Sequence, residues 1–297
     1  MAGPRWGDLA AARPRVDAGP FLKWAGGKGL VLPRLLPYLG TSKADSTYYE
    51  PFLGGGAVFF ALQPQRAVLS DTNVALIATY RAVKDSVEEV IQRLESMPTL
   101  GFERSYYATR VRFNHLVAGR KRLGADSRVE VAALMIWLNH TCFNGLYRVN
   151  RRGEFNVPRG SYTRPSIFTR AGLRSANRAL RGSRAKLETS DFESCLARAK
   201  AGDLVYLDPP YEPVSATSSF TSYTSRGFDQ AEQQRLAKVV HQLVQRGVRV
   251  VLSNSPSPFI RSLYQGLESA IVRVPRAINS VGAKRAAVDE LVVASGF

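Results

Sequence analysis

The sequence predicts an α/β protein, a mostly parallel sheet carrying an inserted, mainly helical lobe. Three observations predict it. Short apolar runs alternate with helix-length amphipathic stretches outside the middle of the chain, the rhythm of a parallel sheet wrapped by helices. Two of those runs stop at loops suited to ligands, EPFLGGG early in the chain and DPPY late. Between them, residues 104–186 lose the rhythm and become strongly basic.

Taken in order, residues 1–19 are rich in Ala, Pro and Gly and lack the apolar centre of a signal peptide, so a flexible leader is expected. Residues 20–103 and 187–297 are expected to form the core, and residues 104–186 the insert. STYYEPF (Ser46–Phe52) predicts a strand, AVFFALQ a helix, and RAVLSD (Arg66–Asp71) a second strand. A helical stretch is expected from Asn73 to about Leu94. After the insert come the strand ending in DPPY, an amphipathic helix over Gln230–Gln245, the strand VRVVLSN (Val248–Asn254), and two terminal strands near Ile271 and Leu291. Asp229, with Glu232 three residues on, is a start signal for that helix.

Charge is concentrated. The chain carries 41 Lys and Arg against 24 Asp and Glu, a net +17 over 297 residues. Residues 104–186 hold eighteen of the basic residues and three acids, or +15, which leaves 23 against 21 elsewhere. Concentrated positive charge repels itself and attracts polyanions, so nucleic acid is the expected partner, bound with strong salt dependence. With 45% hydrophobic and 22% charged residues and no apolar run of bilayer length, no membrane association is expected. Cys142 and Cys195 form no paired motif, and His115, His140 and His241 are scattered, so neither a disulfide framework nor a metal site is expected. A cytoplasmic setting is expected, and nothing signals an obligate protein partner.

Three motifs carry chemistry. Glu50-Pro51-Phe52-Leu53-Gly54-Gly55-Gly56 lies between a strand and a helix, where glycines let a ligand approach free backbone N–H groups. Asp71 ends the next strand about twenty residues later, where a carboxylate meets ribose hydroxyls. Phe59 occupies the third glycine position of a dinucleotide fingerprint, so a nucleoside cofactor fits better than a pyrophosphate-bearing one. Trp24-Ala25-Gly26-Gly27-Lys28 is no phosphate loop, since Leu22 and Gly29 stand at required Gly and Ser/Thr positions; Lys28 could meet a carboxylate and Trp24 cover a ring.

Asp208-Pro209-Pro210-Tyr211 is the sharpest motif. Two prolines end a strand and stiffen the loop beyond it. Its chemistry suits the exocyclic amine of a nucleobase, whose lone pair is delocalised into the ring. If Asp208 and the Pro209 carbonyl each accept one amine hydrogen, the nitrogen is drawn toward tetrahedral geometry and becomes nucleophilic. Tyr211 can stack on the base, worth about 1–3 kcal/mol. A base in a duplex must first be flipped out, at a cost of a few kcal/mol.

The segments FLKWAGGK, EPFLGGG, LSD, FNGLYRVNRRGEFNVP, DPPYEPVSATSSFTSY and LSNS occur in that order. In them the chain resembles the Dam-type DNA adenine N6-methyltransferases over residues 20 to 297. The resemblance implies a Rossmann-like methyltransferase sheet, S-adenosyl-L-methionine as methyl donor without a metal, double-stranded DNA as substrate, and adenine N6 methylation within GATC. It implies cofactor contacts for Trp24, Lys28, Asp71, Phe192 and Asp208, with Asp208, Pro209 and Tyr211 catalytic. In the insert it implies DNA contacts for Phe143 as a stacking wedge, for Asn144 beside it, and for Leu146, Arg148 and Pro158 at base edges. Arg159 departs from the family, which commonly has an aromatic there, and Phe143 stands where it often has Tyr. Rival readings are the same chemistry on cytosine N4 or an RNA base, a DNA-binding homologue without catalysis, and a nicotinamide-dependent oxidoreductase. The missing third glycine and the basic insert disfavour the last.

Overall fold

Seven strands form one sheet in the order β3-β2-β1-β4-β5-β7-β6. The strands are β1 (Tyr48–Glu50), β2 (Ala67–Asp71), β3 (Lys186–Thr189), β4 (Leu204–Leu207), β5 (Arg249–Asn254), β6 (Ser269–Val274) and β7 (Val288–Ser295). The first five run parallel, and β7 lies antiparallel between β5 and β6. The computed structural model describes residues 17–40, 45–120, 122–212, 228–274 and 288–296. Most of the expected leader, residues 1–16, and the part of DPPYEPVSATSSFTSY from residue 213 onward lie outside the described residues.

The central strands are buried on both faces, as near-continuous apolar runs require. Alternate residues serve two core layers. Tyr48, Leu69, Leu204, Tyr206, Val251, Val292 and Ala294 face one cluster, while Tyr49, Val68, Val205, Leu207, Val250, Leu291 and Val293 face the other. The helices α1 (Leu32–Leu39), α2 (Ala57–Leu62), α3 (Val74–Asp85) and α4 (Val87–Glu95) belong to the first half of the chain. Helices α8 (Phe192–Leu196), α9 (Gln230–Gln245) and α10 (Pro258–Leu263) cover the second cluster. Asp229 caps α9 by accepting from the Glu232 N–H at 3.0 Å, as its sequence signal predicts.

Two details differ from the expectation. The single helix expected from Asn73 to about Leu94 is two, broken at Ser86, whose backbone leaves the helical region (φ −140°, ψ 45°). Strand β3 has no counterpart among the expected elements, because KLET buries only Leu187 and therefore carries no apolar run.

Between β2 and β3 lie α5 (Tyr106–Val117), α6 (Ala125–Thr141) and α7 (Arg170–Gly182). Helix α6 buries every residue from Val131 to Leu138, so it is enclosed on all sides rather than amphipathic. It packs across α3, α4 and α5, and Thr79 of α3 donates to the Met135 sulfur at 3.2 Å. One hydrophobic cluster thus runs from the sheet through α3 into α6 and α7. Several basic residues of the block are neutralised here: Arg174 pairs with Glu88 at 2.8 Å, Arg170 with Glu95, and Arg128 lies 3.7 Å from Asp85.

Trp137 is the largest fully buried side chain of α6; it stacks on Tyr106, meets Phe102 edge-on and donates to the Pro98 carbonyl at 2.8 Å. Trp137→Ala is expected to cost about 3–5 kcal/mol in urea unfolding. The transition should stay single, because one core joins the two regions; a separate early transition for α5–α7 would contradict that continuity.

Candidate active site

Parallel strands bring their carboxyl ends to one edge of the sheet. The order reverses between β1 and β4, the switch point at which open α/β sheets bind ligands. Three acids stand there: Glu50 ends β1, Asp71 ends β2 and Asp208 follows β4. The loop after β1 turns at Gly54, with φ +46°. A Cβ at Gly54 would sit 2.7 Å from the Trp24 ring, so glycine allows the indole to lie directly on the loop. Asp71 accepts from the N–H of Gly54 at 3.2 Å and of Asn73 at 2.9 Å. Burial pushes its carboxyl up to about 6 despite those bonds. Trp24 stacks on Tyr147 at 5.4 Å and 19°, and Tyr147 lies beside Asn73 and Asp71.

DPPY leaves the same edge. The Pro210 carbonyl accepts from the buried Gln233 at 2.8 Å, and Gln233 in turn accepts from Asn254 of β5 at 3.0 Å. No described residue donates to the Pro209 carbonyl. Lys28 Nζ lies 2.7 Å from Asp208 Oδ1, donates to the Gly26 carbonyl at 3.2 Å, and sits 4.8 Å from the Tyr211 ring centre. Burial raises the Asp208 carboxyl to about 6, with Lys28 opposing the shift. The Tyr211 hydroxyl is buried beside Asp208 and Glu290 and meets hydrogen-bond geometry with neither. Glu50 is buried too; it accepts from the Tyr48 hydroxyl at 2.7 Å, and burial pushes it up to about 8.

At the end of β3, Asp191 caps α8 and Phe192 is buried. Phe192 stacks on Phe52 of the glycine loop at 5.7 Å and meets Phe228 at 6.1 Å. The Arg235 guanidinium covers its other side at 4.1 Å and pairs with Asp191, Glu193 and Glu232.

The remaining predicted residues lie on a hairpin over residues 142–160. Its arms join at Cys142–Arg159 and Val149–Phe155, and Phe143 N–H donates to the Pro158 carbonyl at 2.9 Å. Helix α5 holds it from below: Tyr106 donates to the Val157 carbonyl, and Asn114 bonds both backbone groups of Phe155. Phe143, Asn144, Arg148 and Pro158 are exposed, and Leu146 is half-buried. Asn144 adopts a left-handed conformation (φ 54°) in the short turn that opens the first arm. Arg148 Nε donates to Asn156 at 2.9 Å, orienting the guanidinium.

Trp24, Lys28, Asp71, Asp208, Pro209 and Tyr211 thus come together, with Phe192 across the glycine loop and the five hairpin residues on a separate projection. Sequence reasoning missed Asn139, Tyr147 and Glu290. Asn139 accepts from the Lys23 N–H at 2.7 Å and donates to the carbonyls of Lys23 and Gly145, tying the Trp24 segment to the hairpin. Tyr147 is visible in the sequence as the aromatic of NGLYR, but only the fold shows that it meets Trp24. Two open clefts of about 720 and 440 Å³ lie elsewhere, one against α3, α4 and α6 and one at residues 164–168. The larger is lined by side chains of both signs that partly pair with each other, so it offers no convergent charge.

Among the described residues no group of three or more His, Cys, Asp or Glu is placed to hold a metal, and no helix is long and apolar enough to cross a membrane. Residues 24–278 match the D12 class N6 adenine-specific DNA methyltransferases. The chain is 38% identical over 279 residues to a type II methyltransferase of Lactococcus lactis subsp. cremoris, covering 94% of this chain and 96% of that one. It is 39% identical to a type II methyltransferase of Methanocaldococcus jannaschii, over 91% and 96% of the two chains. It is 36% identical to the DNA adenine methylase of Escherichia coli K12, over 92% and 93%. A mostly parallel sheet with a carboxylate-lined switch point defines an α/β protein of the Rossmann-like methyltransferase class. Within that class, the chain belongs to the D12 class N6 adenine-specific DNA methyltransferase family, and it is a DNA adenine methyltransferase.

Glu50 supplies a pH prediction. Its folded carboxyl titrates near 8 against an ordinary 4.5, so its contribution to stability is full below about 4.5 and is lost as pH rises through about 8. Glu50→Gln should therefore gain on wild type in thermal melts between pH 5 and pH 8. A constant difference across that range would show that Glu50 is not held protonated.

Proposed function

We propose that this methyltransferase acts on adenine within GATC and flips the target base out of duplex DNA. The observation that supports this best is Asp208, held by Lys28 at the end of β4, next to a Pro209 carbonyl that no described residue occupies. Both are acceptors, both are rigidly carried, and an amine has two hydrogens to give.

The family implies S-adenosyl-L-methionine as donor, and the residues present suit it. The carboxylate of Asp71 beside the glycine loop and the indole of Trp24 match a ribose and its nucleoside, while Phe192 supports the loop with both ring faces covered by Phe52 and Arg235. Lys28 and Asp208 match the charged methionine end. When bound, the cofactor supplies an electrophilic methyl on sulfonium. Asp208 and Pro209 hold the amine hydrogens, pull the nitrogen from planarity and aim its lone pair. Tyr211 presents its ring to the base. Closing these groups around the reactants excludes water and strengthens each hydrogen bond.

On the DNA side, the exposed Phe143 at the base of the hairpin serves as the wedge that replaces the departed base, with Asn144 beside it. Leu146 and Pro158 offer apolar contact to a thymine methyl, and Arg148 can be bidentate to guanine. Arg151, Arg152 and Arg159 form no ion pair with the described residues and add phosphate contacts along the same projection. Work on chromosomal DNA would place the enzyme in the cytoplasm.

Transfer of labelled methyl to duplex oligonucleotides tests this reading. Incorporation should require GATC; equal labelling of scrambled duplexes would remove the sequence assignment. Asp208→Ala should lower transfer by at least about a thousandfold while DNA affinity changes little, and comparable turnover would contradict amine positioning. For wild type, kcat/KM should rise with pH through about 6, as the carboxyl of Asp208 ionises in the free enzyme.

A further inference from the structure

Glu290 stands at the active edge although its strand runs the opposite way. Because β7 is antiparallel to β5, it begins where β4 and β5 end; Leu291 is in register with Asn254, the last residue of β5. Glu290 shares a face with Val292 and Ala294, the face that carries Tyr206 and the Lys28 segment. Its side chain is 8% exposed, and its Oε1 lies 3.8 Å from Lys28 Nζ without a hydrogen-bond partner among the described residues. The Tyr211 hydroxyl lies beside it, and neither oxygen meets hydrogen-bond geometry with a partner among the described residues. Glu290 lies beyond the residues matched to the family, which end at 278.

A buried carboxylate oxygen left without a hydrogen bond is costly, and the apolar neighbours of Glu290 on β7 do not call for a charge. Lys28 already has Asp208 as counter-ion at 2.7 Å. Two carboxylates around one ammonium leave the cluster with a net charge of −1. The methyl donor carries a sulfonium, an ammonium and a carboxylate, a net +1, whereas its demethylated product has a neutral thioether and no net charge. The spare negative charge is therefore matched to the reactant and not to the product.

We propose that Glu290 is a further positioning residue for methyl transfer: sharing Lys28 with Asp208, it supplies the excess negative charge by which the site prefers a sulfonium-bearing nucleoside to its neutral thioether product. This rests on the placement of the methionine end beside Lys28 and Asp208. Such a preference favours release of product and entry of fresh donor. The neutral, isosteric Glu290→Gln removes the charge and keeps the shape.

Calorimetric titration without DNA tests it, with S-adenosyl-L-methionine and S-adenosyl-L-homocysteine as the two probes. Glu290→Gln should bind the sulfonium compound about tenfold more weakly than wild type, with the thioether changed less than about threefold, the scale of one charge removed at close range in a partly buried site. Equal weakening of both, or no change in either, overturns the proposal. Should the glutamine variant not fold, Glu290→Asp keeps the charge and must keep the wild-type preference; loss of it would be equally decisive. Titration needs no methyl transfer, so failure here leaves the adenine reading untouched, and absent transfer to GATC leaves this result standing.

Discussion

The ion pair between Lys28 and Asp208 is the constraint on which the active edge depends. Lys28 arrives on a short segment near the start of the described chain, and Asp208 comes from the end of β4, 180 residues later in sequence. Both are largely buried, and each alone would be an uncompensated charge in a low-dielectric surround. Paired at 2.7 Å, they pin the Trp24 segment over the glycine loop and keep the DPPY backbone at the sheet edge. The prolines add stiffness, and the Gln233–Asn254 relay fixes the Pro210 carbonyl from the far side. Two rigidly carried oxygen acceptors, the Asp208 carboxylate and the Pro209 carbonyl, are thus in place at this edge, and preorganised groups of this kind spare a site reorganisation during reaction.

A second set of contacts joins this edge to the hairpin over residues 142–160. Asn139, on the last turns of the enclosed helix α6, bonds Lys23 and Gly145 together, while Tyr147 stacks on Trp24. Gly145 has φ +64°, and a Cβ there would collide with the Lys23 side chain at 2.5 Å, so the close approach requires glycine. The hairpin is also bolted to α5 through Tyr106 and Asn114. Its exposed tip therefore stands on a rigid base that shares hydrogen bonds with the Trp24 segment.

The basic excess is not uniform in effect. Arg170, Arg174 and Arg128 meet acids of α3 and α4, where exposed pairs contribute little to stability but cancel local charge. Arg151, Arg152 and Arg159 of the hairpin form no such pairs with the described residues, which leaves the positive field on the projection that carries Phe143 and Asn144.

Much of this was legible in the chain itself. The apolar runs of β1, β2, β4 and β5, the capped helix α9, the DPPY turn and the glycine loop are local patterns, and local patterns announce themselves within a few residues. The family resemblance pointed to the same edge. Tertiary structure alone decided the rest. KLET becomes a strand only because β2 offers it a partner, and the helix after Asn73 breaks at Ser86 without a Gly or Pro to mark the place. The basic block merges with the sheet's core because α6 is covered on every side by α3, α4 and α5, a fact of packing that periodicity does not encode. Glu290 reads as an ordinary strand residue until the antiparallel return of β7 sets it beside Lys28. Such juxtapositions join residues far apart in sequence, and only the closed sheet and its helices bring them within reach of a charge or a hydrogen bond.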